Sequence, residues 1–222
     1  MQRHFDEELQ QLKNEILKMG ALAQEAIINS VDALKNRDKA AAQKVIDSDI
    51  ELDKLELVID EKCLDLIVLH QPMAGDMRFI TTAITLNAEL ERIGDLAVDV
   101  AQRALAISGK PLLKPLVDIP KLAEAAQRMT GEAIQAFVKG DTELAKKVVL
   151  SDPEADTLKR EVEKELIYDY MMKDGATADR AVPLLLAARH LERICDHAVS
   201  MAEDIIYMVS AVVVRHHPEE LK

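Results

Sequence analysis

The segment Leu90–Asp95 reads LERIGD and the segment Leu191–Asp196 reads LERICD, so the same six-residue phrase occurs twice in the chain. In each copy the glutamate and the aspartate are four residues apart, which on an α-helix puts both carboxylates on one face, one turn from each other. Steps of seven residues place each glutamate in an otherwise apolar row: Ile84, Glu91, Val98 and Leu105 in the first copy, and Leu185, Glu192, Val199 and Ile206 in the second. A carboxylate among apolar side chains needs a partner, a proton or a metal ion, so the phrase predicts helices whose acids do more than face solvent.

The composition is typical of long, packed helices. Of 222 residues, 49% are hydrophobic and only 3% aromatic, and glycine and proline occur seven times each. The formal net charge of −12 argues against nucleic acid or anionic lipid as partners. Cys63 and Cys195 are isolated and form no CxxC motif, which fits a reducing compartment. The N-terminus has no apolar signal region and no apolar run is long enough to span a bilayer, so we expect a cytoplasmic protein that is not membrane-spanning.

Short breaker segments divide the chain into six predicted helices. Their approximate ranges are 5–35, 38–70, 76–108, 118–138, 141–172 and 177–210. Four glycine or proline breakers fall between Gly109 and Pro120, which makes this interval the best domain boundary. The predicted domains are a first three-helix repeat at 1–108, a Pro-rich linker at 109–120 and a second three-helix repeat at 121–222.

The two halves of the chain are copies of each other. Val45–Asp53 resembles Val148–Asp156 at an offset of 103 residues, and the LER phrase recurs at an offset of 101. An internal duplication explains both matches. Because short connections make sequential helices antiparallel neighbours, the sequence predicts an all-α protein whose six long helices form two tandem, pseudo-symmetric three-helix bundles.

Each middle helix carries a second pair of acids four residues apart, at Asp49 and Asp53 and at Asp152 and Asp156. Each half therefore has two adjacent acid-bearing helices. Four carboxylates that converge between two helices repel one another unless a cation lies among them. Oxygen-only ligands favour magnesium, manganese, calcium or iron over zinc. On the residues alone, a metal site and a solvated acidic surface are equally good interpretations.

Helix capping offers another interpretation of some of these acids. Ser48–Glu51 and Ser151–Glu154 have capping-box spacing, and Pro153 suits the first position of a helix. On this interpretation the middle helices kink, Asp49 and Asp152 are caps, and the acid one turn later in each half is the better metal ligand.

Several single residues have simple interpretations. Asp76 and Asp179 open the third helix of each half, and we expect both to be N-caps. We expect Arg92 and Arg193 to pair with nearby acids, and Cys195 to be a packed thiol.

The sequence contains no motif that predicts catalysis. P-loop, GxGxxG, GxSxG and HExxH patterns are absent. No histidine follows an acid by three residues, so the Glu-x-x-His motif of di-iron bundle enzymes is missing. We predict a non-enzymatic protein, with a carboxylate-bridged helical-bundle metalloenzyme as the alternative.

Two further segments accompany the repeated phrase: Gln71–Arg78 reads QPMAGDMR, and Ala188–Ala198 reads ARHLERICDHA. With the tandem layout, these segments resemble the PhoU family of bacterial phosphate-signalling accessory proteins over the whole chain. The resemblance implies a cytosolic protein of two three-helix bundles whose E(D)xxxD pairs bind metal ions such as iron, zinc, manganese or magnesium. It also implies a negative regulator that links the high-affinity phosphate importer to its sensor kinase and represses the phosphate-starvation response.

The resemblance further implies contacts with the transporter ATPase subunit and the sensor histidine kinase, and a homodimer. Its metal ligands map here to two sets, Asp49, Asp53, Glu91, Asp95 and Asp99 in the first half, and Asp152, Asp156, Glu192 and Asp196 in the second. The second half departs from the pattern at two positions: Ser200 stands where Asp99 would be matched, and Cys195 replaces Gly94. Both changes predict unequal sites. A PhoU-domain regulator of a different transporter is the alternative within the family.

Overall fold

Six long α-helices make up most of the computed structural model, which describes residues 2–214. They are α1 (Gln2–Asn36), α2 (Lys39–His70), α3 (Ala74–Ile107), α4 (Asp118–Lys139), α5 (Thr142–Lys164) and α6 (Ala178–Ser210). A π-helix, Glu165–Met171, continues α5, and a short 3-10 turn, Gly175–Thr177, precedes α6. No strand occurs within residues 2–214, so the predicted all-α class is confirmed. The end of the second predicted repeat, residues 215–222, lies outside the described residues.

The helices pack as two three-helix bundles that share one core. Helices α1, α2 and α3 form the first bundle, and α4, α5 and α6 form the second. The bundles meet where α1 packs on α4 and α3 packs on α6, so α2 and α5 lie on the outer sides. Gly20 of α1 allows one of these contacts, because a Cβ atom there would lie 2.1 Å from Cδ1 of Ile134 on α4.

Helices α3 and α6 run antiparallel along the seam between the bundles. Three polar contacts join them in opposite order along the two helices: Arg78 Nε to the Met208 carbonyl oxygen at 3.0 Å, Glu89 Oε2 to His197 Nδ1 at 2.5 Å, and Asp99 Oδ2 to His190 Nδ1 at 3.5 Å. Just beyond the end of α3, Lys110 Nζ donates to the Asp179 carbonyl oxygen at 2.9 Å and continues the same order. These contacts, above a shared apolar core, hold the two repeats in one fixed arrangement.

Neither middle helix begins at Asp49 or Asp152, so the prediction that these two acids are caps is wrong. Helix α2 and helix α5 continue through both positions, and Pro153 lies inside α5. Instead of capping, the Ser48 and Ser151 hydroxyls donate to carbonyl oxygens of their own preceding turns, at 2.9 and 2.8 Å. A serine inside a helix satisfies its hydroxyl in this way, so the capping-box spacing does not mark the start of a helix here.

The predicted N-caps of the third helices are also wrong. Helix α3 begins two residues before Asp76, and α6 begins one residue before Asp179, so both acids lie in the first helical turn. There they still favour the positive end of the helix dipole. Side-chain caps occur on the middle helices, where Asp38 accepts from two amides of α2 and Asp141 accepts from the Leu144 amide.

Candidate metal centres

Helices α2 and α3 approach closely where Gly94 faces α2. A Cβ atom on Gly94 would lie 2.9 Å from Leu52 Cδ1 and 3.3 Å from Asp49 Oδ1. The missing side chain therefore lets α2 place Asp49 directly against α3, beside Asp95. In the second half, Cys195 takes the position of Gly94 and is fully buried, as expected of a packed thiol.

The first acidic cluster consists of carboxylates of α2 and α3: Asp49, Asp53, Glu56, Asp60, Glu91 and Asp95. Burial, followed by the charges of Asp53 and Asp95, raises the pKa of Asp49 from 3.8 to about 6. Burial also raises the pKa of Glu91, followed by the charge of Asp95, with smaller contributions from Glu56 and Asp53. The upward pKa shifts show that these carboxylates lie close enough to repel one another.

One cationic side chain partly offsets this negative charge, and one neutral amide holds a carboxylate by a hydrogen bond. Arg92 lies 3.5 Å from Glu91 Oε2 through its Nε atom and 3.4 Å from Asp95 Oδ2 through Nη1, so its predicted pairing with nearby acids is confirmed. Because Arg92 is largely exposed, both ion pairs are weak. Asn87 is buried and donates from Nδ2 to Asp60 Oδ1 at 2.9 Å. The remaining acids of the first cluster keep a net excess of negative charge.

The second acidic cluster lies between α5 and α6 and consists of Asp152, Asp156, Glu163, Glu192 and Asp196. Burial, followed by the charges of Glu192 and Asp152, raises the pKa of Asp196 from 3.8 to about 6. The pKa of Asp152 is raised by burial and by Asp156. A lysine, Lys159, lies within this cluster, with Nζ 3.3 Å from Glu163 Oε1 and 3.9 Å from Glu192 Oε1.

The structure brings eight of the nine predicted metal ligands into these two clusters. The ninth, Asp99, contacts His190 of the other bundle. Burial lowers the pKa of His190, while Asp99 raises it and nearby arginines, Arg193 among them, lower it. Asp99 is thus part of the seam between the bundles, one turn beyond Asp95.

The chemistry of the side chains in both clusters suits a metal ion, but the side chains are too far apart to hold one together. Oxygen donors and uncompensated negative charge suit a hard cation. Among the side chains that the structure describes, however, no three His, Cys, Asp or Glu groups are arranged to hold one metal ion. The acids must therefore turn toward one another to become ligands. Since Asp49 is not a cap, the reason for preferring Asp53 over Asp49 no longer holds, and Asp49 is the more buried of the two.

Three cluster members were not among the predicted ligands: Glu56, Glu163 and Asp60. Lys159 was missed as well. The 103-residue offset contained the signal, because it aligns Asp60 with Glu163 and Glu56 with Lys159.

The fold and its acids define a class of protein: a tandem repeat of three-helix bundles, each with a carboxylate cluster between its second and third helices. The PhoU domain model matches residues 16–104 and 119–205. The chain belongs to the PhoU family, as the resemblance predicted.

Relatives and solved structures agree with this assignment. A phosphate-specific transport system accessory protein PhoU homolog of Aquifex aeolicus is 39% identical over 94% of this chain and 94% of its own length. The Rhizobium meliloti homolog is 39% identical over 93% of this chain and 87% of its own length. The crystal structure of PhoU from Pseudomonas aeruginosa superposes with a TM-score of 0.88 at 34% identity, covering 94% of this chain and all of that one. The structure of the phosphate transport system regulatory protein PhoU from Streptococcus pneumoniae gives 0.87 at 25% identity, covering 95% and 99%.

These relatives are named as accessory or regulatory proteins, which agrees with the prediction of a non-enzymatic protein. None of the helices described in residues 2–214 is long and apolar enough to cross a membrane.

Proposed function

We propose that this chain is a cytoplasmic regulator that links a high-affinity phosphate importer to its sensor histidine kinase and represses the phosphate-starvation response when phosphate is plentiful. Its partners are the ATPase subunit of the transporter and the cytosolic part of the kinase, and it acts as a homodimer. Membership of the PhoU family carries this proposal, because the relatives are named as accessory proteins of the phosphate-specific transport system. The fold alone would not support it, because one fold serves many functions.

The same proposal includes metal binding at the carboxylates. The supporting observation is the excess negative charge of the first acidic cluster, where repulsion and burial raise the pKa of Asp49. A bound cation would cancel that repulsion and supply positive charge at the helix crossing. The candidate ligands are Asp49, Asp53, Glu91 and Asp95 in the first half, and Asp152, Asp156, Glu192 and Asp196 in the second. Iron, zinc, manganese and magnesium are the candidate metals.

Metal analysis of a paired variant tests this part of the proposal. Glu91→Ala with Asp95→Ala removes both α3 carboxylates and is expected to lower the manganese bound at equilibrium dialysis. Asp65→Ala, an exposed acid on α2 outside the cluster, is the matched control and is expected to bind as wild type does. If the paired variant binds as much manganese as the control, these residues are not ligands.

An exposed apolar stripe on α2 suits a partner helix. Ile50, Leu57, Leu64 and Val68 follow one face of the helix and are each more than half exposed. Acids flank the stripe, among them Asp53, so it matches an amphipathic helix with basic edges. A second copy of this chain, which has a net charge of −12, would present the same acidic face and so matches the stripe less well than a helix with basic edges does.

A starvation-gene reporter tests the regulatory role. In a strain that lacks the gene, the reporter is expected to stay on in phosphate-rich medium, and this chain supplied in trans is expected to switch it off. Leu57→Glu with Leu64→Glu should fail to switch it off while folding normally, whereas Gln135→Glu on the exposed face of α4 should succeed. If wild-type protein folds but leaves the reporter on, the chain serves another transporter or another function.

A further inference from the structure

The second acidic cluster contains a largely buried cation, whereas Arg92, the cation beside the first cluster, is 64% exposed. The Lys159 ammonium lies 3.3 Å from Glu163 Oε1 and 3.9 Å from Glu192 Oε1, and its side chain is about three-quarters buried, at 24% exposure. Glu192 is buried to a similar degree, at 18% exposure. The ammonium thus bridges a carboxylate of α5 and a carboxylate of α6, which is the place between the helices where a metal ion would act.

The first repeat has an acid at the corresponding position. The 103-residue offset aligns Lys159 with Glu56, and the 101-residue offset aligns Glu192 with Glu91. The two positions are also electrostatically coupled in the first repeat, since the charge of Glu56 contributes to the raised pKa of Glu91. One repeat therefore pairs an acid with an acid where the other pairs a base with an acid, a difference of two charges at one position.

A neighbouring position changes in the same sense. In the first repeat the buried Asn87 donates from Nδ2 to Asp60 Oδ1 at 2.9 Å and so holds this carboxylate without neutralising it. The 101-residue offset places Ala188 at the position of Asn87, where no amide is available. The carboxylate aligned with Asp60 is Glu163, and Lys159 holds it instead. The second cluster thus exchanges a neutral donor for a charged one.

We propose that Lys159 is a built-in counter-ion that keeps metal ions out of the second repeat, so that the chain loads metal asymmetrically, in the first repeat. This inference rests on the proposed metal binding and adds which repeat performs it. A divalent cation entering the second cluster must displace the ammonium from Glu163 and Glu192 and then remain a few ångströms from a like charge. In a partly solvated site, that repulsion weakens binding on the order of 100-fold.

Reciprocal exchange of the two aligned residues tests the inference. The probe is Mn²⁺ alone, titrated into the full chain, with free Mn²⁺ measured by electron paramagnetic resonance. In wild type, tight uptake should be lost in Glu91→Ala with Asp95→Ala and kept in Glu192→Ala with Asp196→Ala. Lys159→Glu should add a second class of Mn²⁺ uptake, about 100-fold tighter than the residual binding of the second repeat in wild type. Adding Glu192→Ala and Asp196→Ala to Lys159→Glu should remove this second class.

Three further variants serve as controls. Glu56→Lys should abolish tight uptake in the first repeat. Lys159→Gln removes the positive charge without adding a ligand and should give intermediate affinity. Lys164→Glu makes the same charge change on the exposed face of α5 and should leave uptake unchanged. Circular dichroism melting of every variant confirms that each one folds.

The outcomes separate this inference from the proposed metal binding. Equal uptake by both repeats in wild type, or no added uptake in Lys159→Glu, overturns the role of Lys159 and leaves metal binding standing. No uptake in wild type but new uptake in Lys159→Glu overturns metal binding by the first repeat and supports the role of Lys159. If neither protein binds Mn²⁺, both ideas fail.

Discussion

Replacing Asp49 with asparagine is expected to stabilise the metal-free protein at neutral pH. Burial, followed by the charges of Asp53 and Asp95, raises the pKa of Asp49 from 3.8 to about 6. A carboxyl with a higher pKa in the folded chain binds its proton more tightly when folded. Its ionisation therefore lowers stability as pH rises from about 4 to 6, and by a constant amount above that. Asparagine has nearly the same shape and cannot ionise.

The magnitude follows from the size of the shift. A change of about two pKa units corresponds to roughly 3 kcal/mol. Asp49 keeps contact with solvent, which screens its charge and reduces the figure by about half. We therefore expect Asp49→Asn to raise the free energy of unfolding by about 1–2 kcal/mol at pH 7.5. At pH 4.0, where folded Asp49 is already protonated, the gain should shrink to a few tenths of a kcal/mol.

Urea denaturation followed by circular dichroism in EDTA, at both pH values, measures this gain. Asp65→Asn, an exposed acid on the same helix, is the control and should change stability by less than about 0.5 kcal/mol at either pH. A loss of stability in Asp49→Asn at pH 7.5, or an equal gain at both pH values, would refute the reasoning. The same variant should bind less manganese, because a neutral amide replaces a carboxylate, the kind of oxygen donor that hard cations prefer.

Two packing predictions concern the seam between the bundles. Gly20→Ala gains about 1 kcal/mol of helix propensity but overpacks against Ile134, so the free energy of unfolding should fall by about 1–2 kcal/mol. Gly131→Ala is the control, because its Cβ meets only the flexible tip of a glutamine. This control should be neutral or stabilising in the same urea assay. A double-mutant cycle of His197→Ala and Glu89→Ala should show a coupling energy of about 0.5–1.5 kcal/mol, because their 2.5 Å contact joins α6 to α3; additive effects would contradict that contact.

Helix periodicity and internal repetition predicted most of the fold. All six helices were expected, because burying one face of a helix leaves a local apolar period that a single sequence displays. The fifth helical stretch ends at Met171, within one residue of the predicted end, but the change from α-helix to π-helix at Glu165 was not predicted. Capping failed at Ser48 and Asp76 for a related reason: the same residues suit a helix start and a helix interior, and packing decides between them.

The candidate site was predicted less completely than the fold. The carboxylate pairs repeat at helical spacing, so Glu91 and Asp95 were readily recognised. Lys159 was missed because its importance depends on a partner on another helix, more than thirty residues away in the chain. Asp99 entered the ligand set through the family resemblance, and in the structure it contacts His190 across the seam. Contacts between helices from different repeats follow from the crossing of α3 and α6, which no local pattern contains.

The antiparallel seam of α3 and α6 has a consequence for how such a chain can arise. Each repeat presents the same third helix to the other, which is the geometry of a two-fold symmetric dimer between two identical ancestors. Joining the ancestors through the short segment between Ile107 and Asp118 would make their association intramolecular, at an effective concentration in the millimolar range. Once fused, the copies no longer had to stay identical. The two repeats could then differ at aligned positions, as they do at Glu56 and Lys159, a difference that a homodimer of single repeats cannot encode.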